Sequence, residues 1–521
     1  MALYTENDNK LLLGKIDDIV NKADMLSLDK VEPTKDKIWK IIYIVRDFVI
    51  EKKRKIYGGF ALNKLIELKN PADKFYDDTN IKAWDIDFYS PDPINDAKEI
   101  ANRLSTAGFK HIAAREAQHE ETYKVFAETI DCADISYVPK NIYNNMPFKE
   151  VNGMYITGSH FLMIDYFRVL TDLTSYFRLE KTFTRLCLML KYYPMPRNPS
   201  PIEITPPSRE LDIAFRTVHE FLINRESTIV VGMYGYNHLI NTVLESSKND
   251  ITKINRSKEK NTREITDYIN YIDINYYEII STDYKNDARE LILKLNDKFL
   301  NNKNKITYEE HYPFFQYLGY SVNIYYVNDP INNPNNKELI CIMYHYNSKC
   351  IPYINVPALY FKNKSYDAIK GEIRIGTFAL LMLYNLINIM KARAYNDDNT
   401  KNIYYTMISH MTDMKTYYLN KTNKTIFDES LFQEFVLRCV GHMLTPQMEK
   451  AERIEKKIKS GKKYSWNYNP EIDKNRENLT KYVFKNSSGN AISNEKNKKI
   501  NMESITNDDI DNMTDEDGDE A

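Results

Sequence analysis

The first strong pattern in the chain is an apolar stripe with a helical period over residues 38–49, just after Pro33 and Thr34. Proline and threonine are common where a helix begins. A short apolar segment follows, then Gly58 and Gly59, then a second helical stretch. The pattern therefore predicts a helix, a strand, a tight turn and another helix in succession.

Farther along, alternating apolar residues predict strands over 83–89, 123–129 and 132–138. A helical pattern starts near residue 95, and a longer helical region covers 160–191. The run 193–207 holds six prolines, which is typical of a linker.

The pattern before this linker recurs after it. Three gap-free matches occur in the same order and with similar spacing, which indicates an internal duplication. The matched pairs are Gly58–Ile66 with Gly232–Ile240, Ser90–Ile100 with Ser281–Leu291, and Asp134–Val138 with Asn323–Val327.

The sequence thus predicts an α+β protein with two related domains and flanking helices. We expect five regions: an N-terminal helical region (1–50), a first domain (51–192), the proline-rich linker (193–207), a second domain (208–445) and a polar, largely disordered tail (446–521).

Charge and cysteine content narrow the possible functions. The chain has 71 basic and 73 acidic residues, a balance that argues against a protein coating nucleic acid non-specifically but allows a local basic channel. Its five cysteines form no CxxC pair, which argues against zinc and fits a reducing compartment. No apolar run reaches about 18 residues and the N-terminus lacks a signal-peptide pattern, so we expect a cytoplasmic protein without membrane contact.

The residues that suggest chemistry are a glycine pair followed by an Asp-x-Asp. In a strand, Asp85 and Asp87 project from one face. Two adjacent carboxylates repel each other unless cations lie between them, and a pair of Mg²⁺ ions fits that need. Gly58 and Gly59 stand at a strand-to-helix turn, where backbone N–H groups bind anions such as phosphate.

A third carboxylate commonly completes a two-metal site. Asp134 is our choice, because it lies centrally in a predicted strand. Asp131 is the alternative, although it is expected in the preceding turn.

The order of these motifs resembles the DNA polymerase β nucleotidyltransferase superfamily. The segments IYGGFALNKLI, WDIDFYS and DISYV, with a degenerate second copy, resemble the poly(A) polymerase catalytic subunits of poxviruses and giant DNA viruses over roughly residues 35–445. Many members of the superfamily carry Gly-Ser where this chain has Gly58-Gly59, which leaves phosphate binding to backbone N–H groups.

The resemblance implies template-independent addition of AMP from ATP to RNA 3′ ends, with release of pyrophosphate. It also implies two Mg²⁺ or Mn²⁺ ions held by Asp85, Asp87 and Asp134. The helical region after the third aspartate carries Arg168, Arg178, Lys181 and Arg185. Of these we expect Arg178 and Lys181 to contact the β- and γ-phosphates; a solvated helix face is the alternative.

The second copy has lost most of these carboxylates. By the sequence matches, Tyr276 replaces Asp85, Glu278 replaces Asp87 and Asn323 replaces Asp134. We therefore expect an inactive copy, kept as a wall or an RNA platform.

The sequence leaves alternatives open. The chain could be another enzyme of the superfamily, such as a CCA-adding, oligoadenylate-forming or small-molecule nucleotidyltransferase, or a non-catalytic RNA-binding scaffold. We expect a homodimer, or a complex with a processivity subunit, in a viral factory or virion. Candidate RNA-binding patches are Lys52–Lys55, Lys253–Lys260 and Lys456–Tyr468.

Overall fold

The chain forms two mixed β-sheets flanked by helices, so the predicted α+β class is confirmed. The computed structural model describes residues 3–30, 33–76, 84–119, 121–248, 265–299, 305–313, 318–346, 350–441, 444–461, 466–473 and 499–501. The predicted patch Lys253–Lys260 lies outside these residues, as does the acidic end of the chain.

The elements up to the linker alternate between helices and short strands. In chain order they are α1 (Glu6–Leu13), α2 (Ile16–Lys30), α3 (Lys35–Glu51), β1 (Lys55–Tyr57), α4 (Gly58–Glu67), β2 (Asp87–Ser90), α5 (Pro93–Thr106), β3 (Ala113–Glu116), β4 (Thr122–Ala127), β5 (Ile130–Tyr137), α6 (Lys140–Asn145), β6 (Phe148–Val151), β7 (Met154–Thr157), α7 (Ser159–Leu170) and α8 (Leu179–Tyr192).

No helix or strand lies in 193–208, the region of the predicted linker. After it follow α9 (Arg209–Leu222), β8 (Thr228–Val231), α10 (Gly232–Lys248), β9 (Tyr277–Ser281), α11 (Tyr284–Lys298), β10 (Ile306–His311), β11 (Ser321–Asp329), β12 (Asn333–His345), β13 (Ile351–Lys362), β14 (Ser365–Gly376), α12 (Phe378–Ala394), α13 (Asp398–Thr422), β15 (Cys439–Val440), α14 (Pro446–Lys459), β16 (Asn467–Tyr468), α15 (Pro470–Asp473) and β17 (Lys499–Asn501).

The two sheets have the same internal strand order. The first sheet runs β16-β3-β4-β5-β2-β1-β7-β6, and the second runs β15-β13-β14-β8-β9-β12-β11-β10-β17. Read from opposite ends, β1 to β7 correspond one by one to β8 to β14. The pairing sense also agrees, because β1–β2 and β8–β9 are antiparallel whereas β2–β5 and β9–β12 are parallel. This shared order agrees with the internal repeat.

The sheet register corrects the third sequence match. Asp134 lies on β5 beside Asp87, whereas the neighbour of Glu278 on β12 is Ile342. Asn323 lies one strand farther out, on β11, at the position that Lys124 occupies on β4. The predicted equivalence of Asp134 and Asn323 is therefore wrong, because neighbouring strands share the same alternating pattern and sequence alone does not separate them.

The larger of two hydrophobic clusters among the described residues joins the two sheets. Helix α3 contributes Ile41, Val45 and Phe48, which are fully buried beside the first sheet. The same cluster continues through α7 into α12, which packs against α7, and on to α10 beside the second sheet. Nearly every residue of α12 is buried, as expected of a helix at the centre of a molecule.

Two expectations about the rest of the chain need correction. The first part of the predicted tail is folded: α14, β16 and α15, here called the C-terminal strap, lie along the edge of the first sheet, where β16 pairs with β3. In addition, Cys350 and Cys439 form a disulfide with Cα atoms 5.4 Å apart, so the cysteines are not all reduced. None of the described helices is long and apolar enough to span a membrane.

Candidate active site

Charged and polar side chains form a row across the first sheet. Cross-strand pairing places Arg115 beside Lys124, Lys124 beside Asp134, Asp134 beside Asp87, and Asp87 beside Tyr57. Directly paired residues project from the same face of a sheet. All five line one open cleft with a volume of about 730 Å³. The sheet itself therefore positions two of the three predicted carboxylates side by side.

Asp85 completes the carboxylate set from outside the strand. The predicted strand began near residue 83, but β2 begins at Asp87, and Asp85 precedes it as an exposed residue. Asp85 nevertheless lines the same cleft as Asp87 and Asp134. The structure thus brings the three predicted aspartates together.

Asp131, the alternative third carboxylate, lies elsewhere. It belongs to β5 rather than to a turn, pairs with Phe126 and is absent from the residues that line the cleft. Its side chain contacts Lys124, whose ammonium also lies 2.7 Å from Asp134 Oδ1. Burial lowers the pKa of Lys124, but the two carboxylates outweigh it and raise the pKa above its ordinary value.

The glycine turn is shaped to approach Asp87. Gly58 has φ +74°, in the left-handed region that favours glycine, and a Cβ there would overlap the carboxylate of Asp87. Gly59 lies under Arg185, whose Nη1 would be 2.9 Å from a Cβ at that position. Both glycines open helix α4 and line the cleft. The α4 N-terminus therefore directs its backbone N–H groups at the cleft beside the carboxylates.

The carboxylates are short of compensating positive charge. Burial raises the pKa of Asp87 well above its usual value, and the charges of Asp85 and Asp134 raise it further. Burial, then the charge of Asp131, raises the pKa of Asp134 to about 6 although Lys124 opposes the shift. Although the side chain of Asp85 keeps contact with solvent, the surrounding cleft walls limit its solvation and, with the charge of Asp131, raise its pKa against the opposing charges of Lys124 and Lys181. A bound cation would remove this electrostatic cost.

The carboxylate oxygens of the three aspartates suit a hard divalent cation, but they do not surround a single position. Among the described residues, no group of three or more histidine, cysteine or acidic side chains forms a ready metal site. Asp134 instead contacts Lys124. The fit to Mg²⁺ or Mn²⁺ therefore rests on three carboxylates in one cleft, two of them in direct register, with raised pKa values.

The predicted phosphate-binding cations line the same cleft. Arg178 occupies the N-cap position of α8, Lys181 lies in its first turn, and both line the cavity that holds the aspartates. Arg185, one helical turn after Lys181, is another cation of this helix that lines the cleft, although the sequence favours Arg178 and Lys181 as the phosphate contacts. It lies over Gly59 and stacks on Phe75 at 4.7 Å, a contact that only folding creates.

The second sheet carries a different row at the same positions. Register pairs Val231 with Glu278, Glu278 with Ile342, Ile342 with Asn323, and Asn323 with Glu309. Compared with the first sheet, Asp134 has become isoleucine, Lys124 asparagine and Arg115 glutamate. The charge pattern of the first row is therefore lost.

Glu278, the carboxylate at the position of Asp87, is buried and hydrogen-bonded. Glu278 accepts hydrogen bonds from Asn388 Nδ2 (2.7 Å), Tyr404 OH (2.8 Å) and Tyr344 OH (3.1 Å). The turn before it keeps its geometry, since Gly232 has φ +63° and a Cβ there would overlap the Glu278 carboxylate. Helices α12 and α13 thus fill the space that forms a cleft over the first sheet.

Comparison with known proteins matches both halves of the chain. Residues 43–175 match the family "Poly(A) polymerase catalytic subunit", and residues 212–502 match "APMV, Putative poly(A) polymerase, catalytic subunit, C-terminal". A mimivirus protein (Acanthamoeba polyphaga mimivirus) described as "Putative poly(A) polymerase catalytic subunit" is 31% identical over 506 residues, covering 94% of this chain and 83% of the relative. A protein of African swine fever virus with the same description is 30% identical over 213 residues, covering 40% of this chain and 43% of the relative.

A solved structure supports the same similarity. The crystal structure of the Megavirus polyadenylate synthase superposes with a TM-score of 0.78 at 27% sequence identity, and covers 96% of this chain and 93% of that one.

Proposed function

The chain belongs to the poly(A) polymerase catalytic subunit family, and from this premise we propose that it adds AMP from ATP to RNA 3′ ends without a template. The observation that carries the proposal is the register of Asp87 and Asp134 beside the turn at Gly58, all facing one open cleft. In the proposed reaction the RNA 3′-hydroxyl oxygen bonds to the α-phosphorus of ATP. The bond to pyrophosphate breaks in line with it.

We propose the first sheet as a polymerase β-like nucleotidyltransferase domain and the second as its degenerate copy, within the predicted boundaries 51–192 and 208–445. Their common strand order supports this assignment. The hydrogen-bonded Glu278 supports a structural role for the second copy, as a wall of the molecule or an RNA platform.

Asp85, Asp87 and Asp134 are the proposed ligands of two Mg²⁺ or Mn²⁺ ions. Such ions would lower the pKa of the attacking hydroxyl and offset the charge of the leaving pyrophosphate. The aspartates would determine where the two ions bind, because the sheet holds Asp87 and Asp134 in direct register.

The nucleoside triphosphate is proposed to lie between the α4 N-terminus and helix α8. Backbone N–H groups at Gly58 and Gly59 would donate to phosphate oxygens, and Arg178 and Lys181 would balance the β- and γ-phosphate charge. Arg185 joins this group, because it extends over Gly59 from the same helix.

Nucleotide selectivity tests the proposed function. The protein is incubated with Mg²⁺, a labelled RNA bearing a 3′-hydroxyl and each of the four nucleotides, with Asp134→Asn as the control. Long tails from ATP alone, absent in the variant, support the proposal. A CCA end, oligoadenylate made without RNA, or no product with any nucleotide would instead favour a CCA-adding enzyme, an oligoadenylate synthetase or a scaffold, respectively.

Assembly and location are also proposals. Helix α1 has no buried residue, and α1 and α2 expose Leu11, Leu12, Ile19 and Val20, which supports a homodimer or binding of a processivity subunit. Light scattering separates monomer from dimer. The viral relatives support a viral factory in the cytoplasm, or the virion, as the place of action.

A further inference from the structure

The row of functional residues does not end at the carboxylates. Beyond Asp134 it continues through Lys124 on β4 to Arg115 on β3. Neighbouring strands are about 4.8 Å apart, so Arg115 lies roughly 10 Å from Asp134, on the side away from the glycine turn. The cleft therefore has cations at both ends: Arg178, Lys181 and Arg185 at the turn, and Arg115 at the far edge of the sheet.

A second cation reaches this far end from a distant part of the chain. Lys450, on α14, lines the cleft and donates to the carbonyl of Glu116 at 3.2 Å, beside Arg115. That bond uses one of the three protons of its ammonium group. The C-terminal strap therefore supplies a wall of the cleft.

Several contacts hold the strap in place. Arg453 Nη2 donates to the carbonyl of Gln118 at 2.8 Å, and Lys457 lies 3.5 Å from the carboxylate of Glu116. Trp466 is only 3% exposed and meets Tyr123 edge-on at 5.4 Å. These contacts between protein groups hold Lys450 in place without a bound ligand.

The geometry of in-line transfer indicates which substrate the Arg115 end of the cleft can bind. If the triphosphate lies at the glycine turn, the attacking hydroxyl must approach from the opposite side of the α-phosphate. That side is the one with Asp134, Lys124 and Arg115. The strand leading to the hydroxyl carries one negative charge per nucleotide, which suits cations spaced along its path.

Resting on the proposed function, we propose that Arg115 and Lys450 bind the phosphodiester backbone of the acceptor strand just upstream of its 3′ end. Phe126 also lines the cleft, and the guanidinium of Arg115 lies 4.3 Å above its ring, a contact that holds the Arg115 side chain at the cleft. Basic groups beside an aromatic ring are the usual means of holding a single strand without reading its sequence.

The test compares Arg115→Gln and Lys450→Ala with Lys191→Ala. Lys191 lies outside the cleft and outside the candidate RNA-binding patches; it is 59% exposed and pairs with Asp73, so it serves as the matched control. Steady-state KM for a labelled oligoadenylate and for ATP is measured, together with oligoadenylate binding by anisotropy at several salt concentrations. Each cleft variant should raise the KM for oligoadenylate about tenfold, the equivalent of one contact of roughly 1.4 kcal/mol, and leave the KM for ATP unchanged.

The salt dependence gives a second readout. Losing one phosphate contact to a single strand should flatten the slope of log affinity against log salt by about 0.7. Unchanged KM and slope in both cleft variants would overturn the proposal, as would an equal rise in both KM values with a lower melting temperature, which indicates a purely structural role. A wild-type protein that binds oligoadenylate through these residues but makes no product overturns the proposed function instead.

Discussion

At the scale of single residues, the site depends on how closely Gly58 and Asp87 approach each other. Gly58→Ala adds a methyl group where the Asp87 carboxylate lies and requires alanine to adopt φ +74°. We expect adenylyl transfer to fall about a hundredfold or more, because a displacement of about 1 Å at a catalytic group has an effect of that size.

Gly108→Ala is the matched control for this substitution. Gly108 has φ +87° but no atom within 4 Å of the added methyl group, so only the backbone penalty of about 1–2 kcal/mol applies. Transfer rates and melting temperatures are measured for both variants. If both lose activity to the same extent, displacement of Asp87 is not the cause.

The same carboxylates make metal-free stability depend on pH. The pKa of Asp134 is raised to about 6 from 3.8, so the folded chain holds that proton more tightly than the unfolded chain. The resulting contribution to stability is complete below about pH 4 and is lost as pH rises through about 6. Asp87 acts in the same direction, since its pKa is also raised.

Mg²⁺ should therefore raise the melting temperature more at pH 7.5 than at pH 5. The cation offsets repulsion that exists only when the carboxylates are ionised. Differential scanning fluorimetry with and without Mg²⁺ measures the gain, and Asp87→Asn should show little gain at either pH. An equal gain at both pH values in the wild type would show that Mg²⁺ binds elsewhere.

At the scale of elements, the position of the C-terminal strap depends on packing against distant residues and not on its local sequence pattern. Trp466→Ala removes a buried ring, a change that typically costs about 3–5 kcal/mol. We expect the strap to detach while the two sheets stay folded, because the strap lies at the edge of the first sheet, where the pairing of β16 with β3 and the contacts of α14 with residues 116–118 hold it. Hydrogen exchange should then speed up at 467–468 and not in β1 or β2; global unfolding would contradict this expectation.

The sequence predicts features that depend on local contacts better than features that depend on contacts between distant residues. Helix α3, the glycine turn and Asp87 follow from local periodicity and glycine chemistry, and the structure has them where expected. Asp134 was matched to Asn323 because β4 and β5, like β11 and β12, share one alternating pattern. The contribution of Lys450 depends on a contact with Glu116 across 334 residues, which no local pattern contains.

At the scale of the whole molecule, the two sheets share one internal strand order but differ in whether a cleft lies over them. The first sheet leaves its row of charged residues open to a cleft, whereas the second covers the equivalent row with α12 and α13. Burial raises the pKa of Glu278, and the hydroxyl and amide groups around it oppose the shift. A carboxyl held in this way stabilises helix packing and has no access to a substrate.

The most direct measurement compares AMP incorporation into RNA by the wild type, Asp87→Asn and Glu278→Gln, each first shown to be folded by its melting curve. Asparagine removes a charge from the open site, and we expect activity to fall at least a thousandfold. Glutamine keeps the shape of Glu278 and an oxygen acceptor inside a closed core, so activity should stay within about twofold. A folded Glu278→Gln protein without activity, or an Asp87→Asn protein that still makes tails, would contradict the assignment of catalysis to the first sheet.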